Sequence, residues 1–290
     1  MSHTTGLSQM LVSRGICRLK DPYSCEEISR FNAAMDSILS SRIEERRAYV
    51  HPDELKEIGL LDRLLGISMR AILFSIMPDP VLYHCHVYEI AANDTRPHIF
   101  AETLAGWHRD GDCELLKNEV THVSVFVYLT DVGAADGAFE FSPKDPTGWL
   151  HSGTPCATVI GSAGFTFAWQ RSFYHRASPN RGPKRRRLFK ISIQRNAFPS
   201  AHLKNQHFQK VMAMTPPGDP QMDLLLGRYQ GKTPPPVHGI VSPIAIPISP
   251  TGSLGIPNLD LAKVQLRARL ESLRSRARSM RNKAAVAAYD

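Results

Sequence analysis

The spacing of apolar residues changes near residue 80, and this change restricts the folds that the chain can adopt. Before it, apolar side chains recur every three or four residues, which predicts one helix over about 25–41 and a second over 55–77. Ser24 is placed to cap the first helix, and Pro78 ends the second. After it, residues 81–90 are rich in β-branched and aromatic side chains, which favour strands.

Further strands follow at short intervals. They are bounded by Gly, Pro, Asp or Asn, and the predicted set is 81–90, 120–129, 137–141, 164–169 and 188–194. Many short strands, with helices on their N-terminal side, predict a mainly β fold: a double-stranded β-helix barrel of the jelly-roll or cupin-like kind with a helical buttress. We therefore predict that residues 1–80, an N-terminal strand and helices, pack on a barrel core formed by residues 81–198.

The chain changes in composition twice beyond the barrel. Residues 199–258 are rich in Pro and Gly and are predicted to be an extended segment. Residues 259–290 return to helical spacing and predict a basic amphipathic C-terminal helix, in which Leu259, Leu266 and Leu273 recur every seven residues. A homodimer through this helix is one prediction, and packing of the helix on its own domain is the alternative.

The positive charge of the chain is concentrated in this tail. The formal net charge is +8, and residues 260–290 hold eight Lys or Arg against three acids. The remainder is only mildly basic, so the charge gives little reason to expect nucleic acid as a partner of the barrel. A basic run at residues 184–187 keeps that alternative open.

The cysteines and the N-terminal residues indicate the cellular compartment of the protein. The five cysteines are odd in number and form no Cys-x-x-Cys pair, as expected of reduced thiols. Residues 1–15 lack the basic and apolar regions of a secretory signal. No run approaches the roughly 18 apolar residues that a membrane span needs. These features predict a cytoplasmic protein without a membrane partner.

Two histidines and an aspartate form the strongest chemical signal in the chain. His108 and Asp110 are two residues apart, so on a strand both side chains would point into the barrel while Arg109 points away. His175 follows the predicted strand 164–169 and could supply a ligand from the facing wall. Two imidazole nitrogens and one carboxylate oxygen are the ligands of a facial iron(II) site, which leaves the opposite face of the metal open.

Alternatives to this ligand set remain open from the residues alone. His-x-Asp spacing is common by chance, and His175 could be a solvated loop residue. Asp112 is a second acid that could replace Asp110, although it follows the predicted strand end. His84 and His86 share one face of the first barrel strand and could begin a cupin-type metal site, although no nearby Glu or Gln completes it.

Four motifs share residue types and spacing with one known family. They are Ser24-Cys25-Glu26-Glu27-Ile28, Trp107-His108-Arg109-Asp110, the turn Asp136-Gly137 with Pro143, and His175 with Ser178 and Asn180. Together they make residues 8–198 resemble the phytanoyl-CoA dioxygenase-like family of iron(II) and 2-oxoglutarate dependent oxygenases. Residues 143–146 depart from that family, which often has Pro-Gly-Ser-His at this place.

The resemblance implies a metal, two cosubstrates and their ligands. His108, Asp110 and His175 would bind Fe(II), with 2-oxoglutarate and O2 as cosubstrates. The family's arginine for the distal carboxylate of 2-oxoglutarate falls eleven residues after the second histidine, at Arg186. Arg187 is the alternative if the loop differs by one residue.

The alternation of side chains along the predicted strand favours Arg186, among the three arginines at residues 185–187, as the ligand of 2-oxoglutarate. We call this alternation strand parity. Phe189, Ile191 and Ile193 would form an apolar outer face. Arg186, Lys190 and Ser192 would then point inward, which makes Ser192 a further candidate for cofactor binding.

The implied function is a dioxygenase that hydroxylates, or otherwise oxidises, an unactivated C–H bond of a small molecule, with release of succinate and CO2. An amino acid or a natural-product intermediate is the expected substrate class, and desaturation and cyclisation are open outcomes. Asp110 favours these reactions over halogenation, because related halogenases have a small residue in place of the acid. The alternatives are a nucleic-acid or protein oxygenase of the same fold and a metal-bound, cupin-like binding protein without turnover.

Overall fold

The computed structural model describes residues 6–96, 106–110, 120–143, 154–196, 206–229, 231 and 241–248. Strands in these residues form two antiparallel sheets. The strands are β1 (Ile16–Leu19), β2 (Arg47–Val50), β3 (Pro80–Ile90), β4 (His122–Tyr128), β5 (Phe139–Ser142), β6 (Ala157–Val159), β7 (Thr166–Gln170), β8 (Tyr174–Ala177) and β9 (Arg186–Arg195). The larger sheet has the order β1-β7-β4-β9-β3-β2, and the smaller one has the order β6-β5-β8.

The two sheets pack face to face, because each contributes large apolar side chains to a shared interior. Phe126 and Trp169 of the larger sheet meet Phe139 of the smaller one, with ring centroids 5.3 and 4.9 Å from that of Phe139. On the opposite face of the larger sheet, apolar residues of β3, β4 and β9 pack against the helices. This arrangement confirms the predicted double-stranded β fold with a helical buttress.

Helices cover the outer face of the larger sheet. They are α1 (Gly6–Arg14), α2 (Cys25–Ser40), α3 (Pro52–Glu57), α4 (Leu61–Leu64), α5 (Ile67–Ile76), α6 (Gln206–Met214) and α7 (Pro220–Leu225). The helix predicted over 25–41 is confirmed as α2. Ser24 and Glu27 close a capping box at its start, in which the Glu27 amide donates to Ser24 Oγ at 3.2 Å. In the part of the chain that the structure covers, no helix has the length and apolar character required to cross a membrane.

The single helix predicted over 55–77 is wrong, because two glycines divide that stretch into α3, α4 and α5. Gly59 has a φ of +68°, a left-handed conformation that ends α3 and that glycine adopts without strain. Gly66 is the cap residue before α5 and has an extended backbone. The apolar residues that recur in this stretch, Leu61, Leu65, Met69 and Leu73, are all buried. The apolar spacing therefore identified the buried face but not the breaks between the helices.

The segment beyond the barrel contains helices that the prediction of an extended 199–258 segment missed. Phe208 and Val211 of α6 and Leu224 and Leu225 of α7 are buried in the helix-side core. Proline is compatible with α7 because it occupies the first turn, where its missing N–H has no partner to lose. The predicted C-terminal helix and the homodimer through it lie outside the described residues.

Candidate metal centre

Backbone pairing brings His108, Asp110 and His175 together. The His108 amide donates to the His175 carbonyl at 3.1 Å, and the His175 amide donates back at 2.9 Å. Residues directly opposite each other in such a pair project to the same side, so both imidazoles face one point. Asp110 follows two residues later on that side, and one potential ligand atom from each of the three residues lies within 4.8 Å of the others. The three predicted ligands therefore form one cluster.

The hydrogen bonds of the two imidazoles set which nitrogen is free. His108 Nδ1 lies 2.8 Å from the Gly106 carbonyl oxygen, and His175 Nδ1 lies 2.9 Å from that of Phe173. A carbonyl oxygen only accepts, so Nδ1 carries the proton in both rings. The Nε2 lone pairs are then available to a metal, as in histidine sites oriented by a second hydrogen bond.

Arg171 orients the carboxylate of the cluster. Its Nε donates to Asp110 Oδ2 at 2.8 Å, and the Asp110 amide donates to the Arg171 carbonyl. The Arg171 side chain is only 4% exposed, and its guanidinium lies 4.4 Å from the centre of the Tyr83 ring. Asp110 is thus fixed by a buried charged donor. The sequence analysis missed Arg171, because it lies between β7 and β8 and belongs to no spacing pattern.

The pKa values of the cluster favour the protonation state that binds a metal. Burial lowers the pKa of His108, and burial together with the nearby His108 lowers that of His175 well below the usual value. Burial alone would raise the pKa of Asp110, but His175 and Arg171 hold it below its usual range. At neutral pH the site therefore contains two neutral imidazoles and one carboxylate.

These lowered histidine pKa values predict that the metal-free protein loses stability on acidification. Below about pH 6.5 the unfolded chain binds protons that the half-buried ring of His108 and the buried ring of His175 do not, so the free energy of unfolding decreases as the pH is lowered. Each histidine adds a slope of at most about 1.4 kcal/mol per pH unit. Asp110 adds none here, because it is ionised in both states. Urea unfolding with a chelator between about pH 7.5 and 5.5 measures this slope.

His175→Gln is the matched variant for that experiment, since it removes one titrating ring. We expect its slope to be shallower than that of the wild-type protein, with His108 still contributing. Identical slopes for the two proteins would contradict the burial of a neutral His175.

Aromatic side chains enclose the cluster on the barrel side. The His175 ring lies 4.1 Å from Trp169 and 5.8 Å from Phe139, measured between ring centroids, and both aromatic residues are buried. Lys190 projects from β9 into the same interior, with its Nζ 5.9 Å from the centre of the Phe126 ring. Its positive charge acts on all three residues of the cluster. Lys190 is thus inward, as strand parity predicts.

Arg186 also lies inside the barrel, where it is 1% exposed. Its Nη2 donates to the Tyr88 hydroxyl at 2.8 Å, and its Nη1 donates to the Gly137 carbonyl. Its buried Nε has no partner, and in the described part of the chain the guanidinium contacts a hydroxyl and a carbonyl but no carboxylate. A buried cation in this state favours an anion from outside the chain.

Arg187 and Arg185 point away from the barrel interior, so the alternative that assigns the cosubstrate contact to Arg187 conflicts with the structure. Arg187 Nη2 lies 2.7 Å from Glu89 Oε2 and 2.8 Å from Asp36 Oδ1 on the helix side of the sheet. Arg185 Nε donates to the other oxygen of Glu89 at 2.5 Å. Alternation along β9 explains the difference, because neighbouring residues face opposite sides.

Glu89 is the common acceptor for these two arginines, and its side chain is 7% exposed. We expect Glu89→Gln to lower the free energy of unfolding by about 3 kcal/mol, because it leaves buried Arg187 undercompensated. The matched control is Glu26→Gln, whose pair with Arg30 is largely exposed and is worth less than about 0.5 kcal/mol. Urea unfolding measures both, and equal effects would contradict this account of the outer face.

Ser192 is inward, as predicted, and its hydroxyl lies 2.7 Å from that of Ser124, with both side chains fully buried. A contact between Ser192 and a cosubstrate remains a prediction. His84 and His86 also face inward, with ring centroids 6.0 Å apart. Within the described ranges they join no group of three metal-ligand atoms, so the cupin-type alternative gains no support there. Asp112 lies outside the described residues.

Hydrogen bonds fix the conformation of the loop between β8 and β9, which immediately precedes Arg186. The Asn180 side-chain amide donates to the carbonyls of Ala91 and Lys184, each at 2.9 Å, and its oxygen accepts from the Gly182 amide. Gly137 packs against Asn180 with a φ of +73°, where an added Cβ would lie 3.2 Å from Asn180 Cβ. Asn180 thus stabilises the backbone conformation of the loop that precedes Arg186.

Comparison with known proteins relates this fold to solved structures. No protein-family model and no curated protein matches the chain. The non-heme α-ketoglutarate dependent epimerase SnoN from nogalamycin biosynthesis is 17% identical, with a TM-score of 0.51 over 66% of this chain and 81% of its own. AviO1 from Streptomyces viridochromogenes Tue57 is 15% identical, with a TM-score of 0.52 over 67% of this chain and 96% of its own. The likeness shows the fold.

A third structure has the same fold. The non-heme α-ketoglutarate dependent carbocyclase SnoK is 16% identical, with a TM-score of 0.50 over 67% of this chain and 85% of its own. SnoN has also been crystallised with Fe3+, α-ketoglutarate (2-oxoglutarate) and nogalamycin RO. The finer resemblance to the phytanoyl-CoA dioxygenase-like family remains a prediction.

Proposed function

We propose that this protein is an iron(II) and 2-oxoglutarate dependent oxygenase that acts on a small molecule. The observation that carries the proposal is the cluster of His108, Asp110 and His175, in which both imidazoles keep Nε2 free and the carboxylate is ionised. The metal and cosubstrate bound to SnoN, which shares the fold, support the same assignment.

The donor set fits iron and the interior fits the cosubstrate. Two nitrogens and one oxygen on one side of a metal leave positions open for further ligands. The Arg186 guanidinium, which has no carboxylate partner among the described residues, suits the distal carboxylate of 2-oxoglutarate. With O2, bound iron(II) and 2-oxoglutarate supply the oxidant that removes hydrogen from an unactivated C–H bond, releasing succinate and CO2.

The protein's own residues orient the metal ligands, shield the cluster from water and would bind the cosubstrate. Arg171 fixes Asp110, and the carbonyls of Gly106 and Phe173 fix the two rings. Trp169 and Phe139 exclude water from one side of His175. Arg186 and Tyr88 would hold the cosubstrate in one orientation, so that the substrate can approach the remaining side of the metal.

Hydroxylation of an amino acid or natural-product intermediate is the reaction we propose within this class. Asp110 completes the triad with a carboxylate, which favours oxidation of the substrate over halogenation. SnoN and SnoK, an epimerase and a carbocyclase, illustrate other outcomes on this fold. Arg185 and Arg187 are held by Glu89, so the basic run that motivated a nucleic-acid alternative is partly occupied within the protein.

Succinate formation across a library of amino acids and natural-product intermediates tests the proposal. Mass spectrometry of each product then separates the outcomes: one added oxygen for hydroxylation, loss of two hydrogens for desaturation or cyclisation, and unchanged mass for epimerisation. His175→Gln is the inactive control. Substrate-stimulated succinate in the wild-type protein alone supports the proposal. Equal succinate from wild-type and variant protein would contradict it.

A further inference from the structure

A second arginine lies beside Arg186 in the interior. In the register of the larger sheet, Arg47 of β2 is opposite Ile90 of β3, and Ile90 is opposite Arg186 of β9. The three residues form one row across neighbouring strands and therefore project to the same face. Two strand spacings separate the Cα atoms of the arginines by about 10 Å, a gap that two arginine side chains can close.

The burial of β2 shows that this face is the barrel interior. Ala48 and Val50 are fully buried in the core beneath the helices, so Arg47 and Tyr49 project to the other side. Tyr49 packs in the interior, with its ring centroid 5.9 Å from that of Tyr88. Tyr88 is the residue whose hydroxyl accepts from Arg186.

Among the described residues Arg47 has no acidic partner, in contrast to the arginine before it. Arg46 Nε lies 2.7 Å from Asp94 Oδ2. Arg47 Nε and Nη1 are buried and have no hydrogen-bond partner, and Arg186 Nε is in the same state. Burial lowers the pKa of Arg47, and the charge of Arg186 lowers it further. Two neighbouring guanidiniums without a carboxylate repel each other, and an anion between them would offset that cost.

The hydrogen-bond donors of Arg186 cannot saturate a bound carboxylate by themselves, so a second residue can also donate to it. Its two Nη groups already donate to Tyr88 and Gly137, while its Nε is free. A carboxylate has two oxygens with about four acceptor positions. Arg186, with only its Nε free, can fill some of these acceptor positions. A second guanidinium with two free nitrogens can fill more of them.

We propose that Arg47 and Arg186 form a two-arginine clamp on the distal carboxylate of the 2-oxo acid cosubstrate. This inference rests on the proposed function, and it adds a residue of β2, the edge strand of the larger sheet, to the cosubstrate site. The Tyr88 hydroxyl accepts from Arg186 and can donate its own proton to the same carboxylate. The site would then discriminate strongly in favour of 2-oxo acids that carry a second carboxylate.

The test compares two 2-oxo acids in anaerobic titrations of the iron(II)-loaded protein, read by visible absorption. The probes are 2-oxoglutarate and 2-oxobutanoate, which lacks the distal carboxylate. We expect Arg47→Gln to weaken 2-oxoglutarate binding roughly 10- to 100-fold, by analogy with other buried charge pairs, and to leave 2-oxobutanoate binding unchanged. Arg47→Lys should retain part of the affinity, because it keeps the charge but not the fork.

The matched control is Arg30→Gln, which removes the same charge from the exposed surface of α2 and should bind both probes like the wild-type protein. Wild-type affinity for 2-oxoglutarate in Arg47→Gln would overturn the inference. Equal weakening of both probes would also overturn it, since that marks a general distortion. If the wild-type protein binds neither probe through iron, the proposed function fails instead, so the two failures are distinguishable.

Discussion

Replacing Asp110 with alanine is expected to lower the affinity for iron(II) by more than about 100-fold. Loss of a residue that only orients a metal ligand costs 10- to 100-fold, so loss of a ligand should exceed that range. The measurement is metal retained after gel filtration at a series of iron(II) concentrations under nitrogen. Asp112→Ala is the matched control, because Asp112 is the alternative acid two residues away. We expect it to retain the metal.

The reverse pattern, with metal lost in Asp112→Ala and kept in Asp110→Ala, would contradict the assigned triad. Alanine at position 110 also leaves the Arg171 guanidinium without its carboxylate, which lowers stability. Asp110→Asn is therefore measured beside it, because an amide oxygen can still accept from Arg171 but is a weaker metal ligand. Circular dichroism establishes that both variants are folded before metal is added.

Replacing Arg186 with methionine is expected to weaken 2-oxoglutarate binding by about 100- to 1,000-fold with little change in the stability of the ligand-free protein. The affinity falls because a buried carboxylate loses its charged donor. Stability changes little because two effects oppose each other: the hydrogen bonds to Tyr88 and Gly137 are lost, and the cost of burying a guanidinium without an acid is removed. Anaerobic titration gives the affinity, and urea unfolding without ligand gives the stability.

Arg185→Met is the matched control for that variant, since Arg185 is adjacent but contacts Glu89 on the outer side of the sheet. Its affinity for 2-oxoglutarate should equal that of the wild-type protein. A weaker affinity in Arg185→Met, together with a normal affinity in Arg186→Met, would contradict the assignment by strand parity.

Local patterns in the sequence were sufficient for β3, β4, β5, β7 and β9 and for the direction of the side chains along β9. Alternation along β9 identified Arg186 as inward among three consecutive arginines, because side chains in a strand alternate by geometry. The His-x-Asp motif placed His108 and Asp110 on one side for the same reason. Such statements depend only on neighbours in the chain, and the structure brings their residues together.

Contacts between distant segments could not be read from these patterns. Arg171 reaches Asp110 across 61 residues. Arg47 lies in the same row as Arg186 only because β2 pairs with β3 at the edge of the larger sheet. No strand was predicted at residues 47–50. The alternation of Arg47, Ala48, Tyr49 and Val50 was a usable signal for that strand. The breaks at Gly59 and Gly66 were missed because apolar spacing continues through them.

We propose that His108, Asp110 and His175 hold an iron(II) ion to which 2-oxoglutarate binds. Anaerobic addition of iron(II) and then 2-oxoglutarate, followed by visible absorption, tests this assignment directly. We expect a weak charge-transfer band that requires both additions and that is absent in Asp110→Ala and His175→Ala. No band in folded wild-type protein, or an unchanged band in both variants, would contradict the assignment.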